Sequence, residues 1–138
     1  AERQADRAAE LLVAADRPAT VERVENVESD CPGSSLLLRG VYDDTLVGVD
    51  ELGEPGLPAE DVAQQAVDAF ERVHEGPGAV DVHMADQLVV FLALSGGAVR
   101  IPAVTDHVET NLSLVGQFGS DLSVDHDGPS PVLRGSPL

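Results

Sequence analysis

The stretch "AVDVHMADQLVVFLALSGGAVRIPAVTDHVETNLSLVGQF", residues 79–118, decides the fold because it carries two helix patterns separated by a short strand. Asp81 is a capping residue, and the apolar helix that it starts runs to about Leu94. Gly96 and Gly97 then end this helix. Its expected buried stripe consists of Ala85, Leu88, Val89 and Leu92.

The second half of the same stretch predicts a strand followed by a helix. The strand occupies residues 98–102, and the helix runs from about residue 106 to residue 118. Thr105 and Asp106 are both capping residues, and Glu109 follows Asp106 at the spacing of a capping box.

Upstream, residues 1–75 predict a small module in which helices flank an antiparallel sheet. Asp43 and Asp44 make a tight connection between its last two strands. The order α-β-β-β-α gives an open sheet with helices on one face, so the fold class is α+β. The expected elements are a helix at 2–15, strands at 20–28, 35–41 and 45–49, and a helix from Pro58 to Val73.

Gly76-Pro77-Gly78 is the best candidate for a boundary, and the second module then spans residues 76–125, with a last short strand at 122–124. Residues 126–138 are rich in Pro, Gly and Ser and are predicted to form a flexible tail.

A module of about 60 residues buries only about 60% of its unfolded surface. A helix as apolar as 84–94 also needs cover on more than one side, so we expect a partner surface to complete this module.

The charge balance of the chain is strongly acidic. Its 138 residues carry a formal net charge of −17, and all eight basic residues are arginine. Such a surface repels itself in dilute buffer and is screened at molar salt, so we expect a cytoplasmic protein of a salt-accumulating organism. Cys31 is the single cysteine, which excludes an intrachain disulfide. The apolar run from Leu88 to Leu94 is far shorter than the ~20 residues that span a bilayer, so no membrane partner is expected.

His107 is the first candidate for chemistry. It lies in the first turn of a predicted helix, where free backbone N–H groups and the positive end of the dipole bind anions. The same field favours the neutral imidazole, which is a nucleophile and can form a covalent intermediate. Asn111, four residues later, shares the face of His107 and can orient the ring or a substrate. From spacing alone, a purely structural histidine remains the alternative.

The segment "DVHMADQ", residues 81–87, is the second candidate. His83, Asp86 and Gln87 fall on one helix face, where they can line a pocket. A metal site formed by His83, Asp86 and His107 is a second interpretation, and a solvated polar face is a third. Asp43 and Asp44 are interpreted first as turn residues, and a metal pair is the alternative interpretation. The sequence contains no phosphate loop, dinucleotide glycine motif, CxxC or GxSxG, and Cys31 is interpreted as structural.

Beyond these patterns, residues 79–118 resemble the C-terminal part of the RNA 3′-terminal phosphate cyclases. That family shows a "(H/Y)xxDQL" helix, a "LALxGG" turn, a short strand and then "HxxTNxxxxxxF". The corresponding segments here are His83 to Leu88, Leu92 to Gly97 and His107 to Phe118. Upstream, "SDCPGSSLLL" and "GVDELGEPGLPAEDVA" resemble the inserted small domain of the family. The resemblance covers roughly residues 1–125.

The resemblance implies a ligase-type reaction that consumes ATP. The histidine matching His107 attacks the α-phosphate, releases pyrophosphate and carries AMP on its ring nitrogen. AMP then passes to an RNA 3′-phosphate, and the neighbouring 2′-hydroxyl displaces it to leave a 2′,3′-cyclic phosphate. His83 matches a residue that stacks on adenine, and Asp86 and Gln87 match polar residues of the nucleotide site. A divalent cation, Mg²⁺ or Mn²⁺, neutralises phosphate charge, and its protein ligands are unknown.

The resemblance also implies that the chain is a fragment. Family members are about two to three times longer, and their N-terminal half completes the nucleotide site with a Gly-rich stretch. Residues 1–75 would be the insert domain, incomplete at its N-terminus, and residues 76–125 the C-terminal part of the catalytic domain. The start at Ala1 rather than Met points the same way. A non-catalytic relative acting in ribosome assembly or RNA processing, and a protein-interaction module, are the alternatives.

Overall fold

A computed structural model describes every residue of the chain except Asp44 and Leu138. The chain divides into two compact units, Ala1–His74 and Glu75–Leu138. Helices and small antiparallel sheets occur in both units, so the predicted α+β class is confirmed. No helix within the described residues is long and apolar enough to cross a membrane.

The first unit consists of two helices and one β-hairpin. Its elements are α1 (Glu2–Ala14), β1 (Ser34–Val41), β2 (Leu46–Gly53) and α2 (Ala59–His74). The strands pair in register from Ser34 opposite Gly53 to Val41 opposite Leu46. The Tyr42 amide donates to the Thr45 carbonyl at 3.0 Å, which closes the turn. The predicted turn residue Asp44 lies outside the described residues, and no structural statement is made about it.

The core of the first unit lies where α1 and α2 pack on each other and α2 packs on the hairpin. Alternate residues of β1 and β2 face the helices, as expected for a sheet with one covered face. The buried members of this core are Ala8, Leu12, Ala63, Val67 and Phe70, with Leu36, Leu38 and Val49 packed against them.

The predicted strand at residues 20–28 is wrong. These residues are exposed and form no strand, so the element order is α-β-β-α rather than α-β-β-β-α. Val21, Val24 and Val27 recur every three residues instead of alternating, so the segment has no single apolar face to bury. The strand predicted to end at Val49 continues to Gly53, because Val47, Val49 and Glu51 keep the alternation of a half-covered strand.

The second unit packs two helices on a three-stranded sheet. Its elements are α3 (Val82–Ser95), β3 (Gly97–Arg100), α4 (Asp106–Gln117), β4 (Ser123–Asp125) and β5 (Val132–Gly135). The strand order is β3-β5-β4, with both neighbouring pairs antiparallel. The core contains Ala85, Val89, Ala93, Ile101, Val108, Val115 and Leu133.

The expected flexible tail is not what the structure shows. β5 lies within residues 126–138 and is the central strand of the sheet, with Val132 and Leu133 buried. The Pro131 carbonyl accepts from the Ile101 amide at 2.9 Å, and the Ser130 hydroxyl donates to the Pro77 carbonyl. Pro, Gly and Ser therefore form the turns around a short buried strand whose burial depends on β3 and β4.

Candidate functional site

His107 is the second residue of α4 and its side chain is exposed. The N-cap is Thr105, whose hydroxyl oxygen accepts a hydrogen bond from the Val108 amide at 3.3 Å. Asp106 is the first helical residue, so the capping box expected between Asp106 and Glu109 is wrong while the Thr105 cap is confirmed. His107 thus lies among the amide groups of the first turn, which have no partner within the helix.

His83 occupies the equivalent position at the start of α3. The carboxylate of the N-cap Asp81 accepts from the Met84 amide at 2.6 Å, which confirms the predicted cap. His83 is the second helical residue and is exposed. Two helices of the second unit therefore each carry an exposed imidazole in their first turn.

The two helices are joined by a hydrogen bond from Asn111. Its side-chain amide donates to the main-chain carbonyl of Asp86 at 3.2 Å, and Asn111 is partly buried there. Asn111 is one turn after His107, and Asp86 is about one turn after His83. The contact therefore joins the second turns of α3 and α4.

The contact joins corresponding positions of the two helices. Asp86 is the fifth residue of α3, and Asn111 is the sixth residue of α4. His83 and His107 are each the second residue of their helix, so each precedes the contact by about one turn.

Asp86 and Gln87 follow His83 on the same face of α3. Gln87 is exposed, whereas the Asp86 side chain is partly buried. The four side chains His83, Asp86, Gln87 and His107 therefore project from the first two turns of neighbouring helices. The shallow groove of about 450 Å³ on α4 is lined instead by Glu109, Thr110, Ser113, Leu114 and Gln117.

This end of the second unit carries helix dipoles but few full positive charges. Arg100 and Arg134 are the only arginines from residue 75 onward, and the chain has no lysine. The Arg100 guanidinium is engaged with the Ser130 carbonyl at 2.8 Å. An anion at this end would be bound by amide groups and imidazoles, and further basic groups would have to come from another polypeptide segment.

The metal interpretation fails within the described part of the chain. No group of three or more His, Cys, Asp or Glu residues there is arranged to hold a metal ion. His83, Asp86 and His107 therefore do not form the metal site that their spacing allowed. Asp43 is exposed in the turn, and its neighbour Asp44 lies outside the described residues.

The structure also shows an exposed apolar surface on α3. Phe91 is 64% exposed, Leu94 60% and Val90 47%, all on the side of the helix opposite Ala85, Val89 and Ala93. We call these three exposed residues the outer face of α3. The sequence indicated this outer face, because the residues of α3 are mostly apolar and show little amphipathic periodicity.

Comparisons with known proteins identify the family. Residues 1–75 match the family model described as RNA 3′-terminal phosphate cyclase (RTC), insert domain. The chain belongs to the RNA 3′-terminal phosphate cyclase family, and the resemblance seen in the sequence is confirmed. The insert-domain match coincides with the first unit and ends before α3, so His83 and His107 lie outside it.

Three curated relatives named RNA 3′-terminal phosphate cyclase illustrate the similarity. The protein of Halobacterium salinarum (strain ATCC 29341 / DSM 671 / R1) is 38% identical over 128 residues, which are 93% of this chain and 38% of the relative. That of Pyrobaculum neutrophilum is 38% identical over 138 residues, covering 97% of this chain and 40% of the relative. That of Saccharolobus islandicus (strain L.S.2.15 / Lassen #1) is 31% identical over 131 residues, or 95% and 39%. The chain thus spans about two fifths of the length of these relatives.

Proposed function

We propose that this chain is the histidine-bearing part of an ATP-dependent RNA 3′-terminal phosphate cyclase. In this proposal the neutral imidazole of His107 attacks the α-phosphate of ATP, a P–N bond forms and pyrophosphate leaves. The RNA 3′-phosphate then displaces the imidazole from AMP, and the adjacent 2′-hydroxyl displaces AMP from the RNA phosphate. The product is a 2′,3′-cyclic phosphate, and His107 is free for another cycle.

The observation that carries the proposal is a hydrogen bond between two helices that each carry an exposed histidine in the first turn. His83 lies in the first turn of α3 and His107 in the first turn of α4, and the Asn111–Asp86 hydrogen bond joins the helices about one turn further along each. Free amide groups of the first turns favour a phosphate beside the His107 ring.

The other site residues follow as part of the same proposal. His83 stacks on the adenine ring, and the exposed Gln87 amide contacts the nucleotide. Asp86, whose main-chain carbonyl accepts from Asn111, contributes its carboxylate as a polar group of the nucleotide site. The reaction includes Mg²⁺ or Mn²⁺ to neutralise phosphate charge. The described residues contain no cluster of His, Cys, Asp or Glu that could hold that ion.

The proposal includes a partner, which is the remaining part of a cyclase. The outer face of α3 leaves Phe91 and Leu94 about two thirds exposed, and a cyclase-type partner covering them would also supply the arginines or lysines that this end lacks. About three fifths of the length of the matched relatives lies outside the region that this polypeptide matches. The same exposed face supports the second candidate function, a protein-interaction module without catalysis.

The experiment replaces the matched region of the Halobacterium salinarum relative with this chain and incubates the chimera with α-labelled ATP in molar KCl. We expect an acid-labile, alkali-stable protein–AMP bond, as a phosphoramidate requires. His107→Ala should abolish labelling, whereas His126→Ala, which removes another exposed histidine, should not.

Two results would contradict the proposal. Labelling of the His107→Ala chimera at the unmodified level would exclude His107 as nucleophile. A folded chimera that never labels, while the parent relative does, would favour the interaction module instead.

A further inference from the structure

The β-hairpin of the first unit leaves one of its two faces exposed. The residues of β1 and β2 that alternate with the helix-facing ones are all exposed. Four of them are large aliphatic residues, each about two thirds exposed: Leu37, Val41, Leu46 and Leu52. We call the full set of eight the hairpin face, which consists of Ser35, Leu37, Arg39, Val41, Leu46, Gly48, Asp50 and Leu52.

This face is unusual for an open sheet, because the side turned to water is ordinarily polar. Here half of its residues are aliphatic, although the chain as a whole carries a net charge of −17. The hairpin face itself holds one arginine and one aspartate, so its formal charge is zero. An uncharged apolar patch on such an acidic surface indicates an interaction site.

The strand register makes the two charges of the face self-complementary. Arg39 lies opposite Gly48, and Leu37 lies opposite Asp50. Arg39 and Asp50 are therefore on different strands, one side-chain row apart. A two-fold axis parallel to the strands places β1 of one copy over β2 of the second copy with the rows aligned. Each arginine then lies one row, or ~7 Å along the strand, from the aspartate of the other copy, which an extended arginine can reach.

Gly48 provides room for the arginine of the facing copy. A methyl group added at Gly48 would meet only the Leu37 side chain, at 3.8 Å, among the described residues. The face thus has a shallow depression at Gly48 beside the leucine. The two-fold arrangement puts the aliphatic stem of Arg39 above this depression, and long charged side chains bury their stems on apolar surface in this way.

The chemistry of the face favours a second copy over a nucleic acid. Binding to phosphates uses clusters of Lys and Arg, and single-stranded bases stack on aromatic rings. The hairpin face has one arginine and no aromatic residue, and that arginine already donates to the Glu22 carboxylate. A second copy instead supplies one carboxylate for each arginine and aliphatic side chains for the four exposed ones.

We propose that the hairpin face is a homodimer interface, in which two copies pack sheet on sheet at the usual spacing of ~10 Å. Two strands of eight residues form a face about 27 Å long and ~10 Å wide. This is a smaller surface than the ~800 Å² that each partner buries in a standard interface, so the dimer is weak and reversible. Because each copy carries a charge of −17, the dimer forms when molar salt screens the repulsion.

The first test is sedimentation equilibrium of the 138-residue chain in ~1 M KCl, at concentrations from about 10 µM to about 1 mM. We expect a monomer–dimer equilibrium that shifts to monomer in dilute buffer. Leu46→Ser should raise the dimer Kd at least ~10-fold, because it removes a buried aliphatic group. Leu114→Ser is the matched control, since Leu114 is a half-exposed leucine of α4 in the other unit, and it should leave the Kd unchanged.

A charge exchange tests the two-fold arrangement itself. Arg39→Asp and Asp50→Arg each place like charges where the two copies meet, so each variant alone should be monomeric. When the two variants are mixed in equal amounts, both cross-copy pairs become opposite in charge again. We therefore expect the mixture to form a heterodimer within ~10-fold of the parent Kd. Circular dichroism and thermal melts show that each variant keeps its fold.

Three results would overturn the proposal. The first is a parent chain that stays monomeric at about 1 mM in molar salt. The second is a dimer that Phe91→Ser dissociates and Leu46→Ser does not, which would assign the interface to the outer face of α3. The third is a mixture of the folded charge variants that remains monomeric, which would exclude the pairing of Arg39 with Asp50 of the second copy.

Discussion

Asn111 is the residue on which the geometry of the proposed site depends. Its side-chain amide is donated to the Asp86 carbonyl of the neighbouring helix, so it positions α4 rather than reaching toward the His107 ring. Asn111 thus lies on the His107 face of α4, but it contributes to the site by joining α4 to α3. Spacing along one helix identified the residue, but the partner on the second helix could not be read from the sequence.

Replacing Asn111 by leucine should destabilise the second unit by about 1–2 kcal/mol, because a hydrogen bond is lost and the helix contact must repack. Urea unfolding of the chain in molar KCl measures this cost. Asn26→Leu is the matched control, since Asn26 is exposed and lies in a segment without secondary structure. In the chimera, Asn111→Leu should also raise the KM for ATP. An unchanged free energy of unfolding would show that the Asn111 contact is not formed in solution.

At the scale of elements, the helices and the strands β1 to β4 were predictable from the sequence, whereas β5 and the lack of a strand at residues 20–28 were not. Helices α2, α3 and α4 have strong punctuation at their ends, such as Pro58, Asp81 and Thr105, so their limits are set locally. The strand predicted at 20–28 and the tail that forms β5 failed for opposite reasons. Residues 20–28 contain strand-forming valines but have no adjacent strand to pair with. The tail is rich in Pro, Gly and Ser, yet its strand β5 pairs with β3 on one side and β4 on the other.

A substitution in β5 tests whether residues 126–138 are an integral part of the sheet. Leu133 is fully buried at the centre of the sheet, so Leu133→Ala should cost about 2–5 kcal/mol and melt the second unit. Leu46→Ala, at a position 64% exposed in β2, should cost less than about 0.5 kcal/mol. Chemical denaturation monitored by NMR distinguishes the units. Two equally stable variants would mean that residues 126–138 are a mobile tail after all.

The pairing of α1 with α2 predicts a pH dependence. The Arg3 guanidinium donates to the Glu60 carboxylate at 2.6 Å, and this hydrogen bond, with one from the backbone, lowers the pKa of Glu60 below its ordinary value. A lowered folded-state pKa stabilises the fold above the unfolded pKa and is lost as pH falls through the folded pKa. The stability difference between the parent chain and Arg3→Gln should therefore be present at pH 7 and vanish in acid.

NMR titration of the Glu60 carboxyl carbon checks this directly, with Arg23→Gln as the control because Arg23 pairs with Glu25 and is not among the groups that lower the Glu60 pKa. Both groups of the Arg3–Glu60 pair are substantially exposed, so the effect should be small and should shrink further in molar salt. A Glu60 pKa that does not rise in Arg3→Gln would contradict the assigned cause.

At the scale of the whole molecule, the chain has 25 acidic residues and only eight basic residues, all arginine. We expect this excess of negative charge to make folding depend on the salt concentration. Repulsion among the carboxylates opposes folding in dilute buffer and is screened when the Debye length falls to ~3 Å at 1 M salt. We therefore expect the free energy of unfolding to rise steeply between about 0.1 M and 1 M KCl. Measured urea midpoints over this range test the expectation.

A charge-neutralised variant separates screening from a general salt effect on apolar burial. The variant replaces Asp6, Glu28, Asp30, Asp50 and Glu54, all exposed, by the corresponding amides. With less repulsion to screen, its stability should start higher in dilute buffer and rise less with KCl. If the free energy of unfolding rises equally steeply with KCl in both chains, the added salt acts by strengthening apolar burial. The acidic surface would then serve solubility rather than folding.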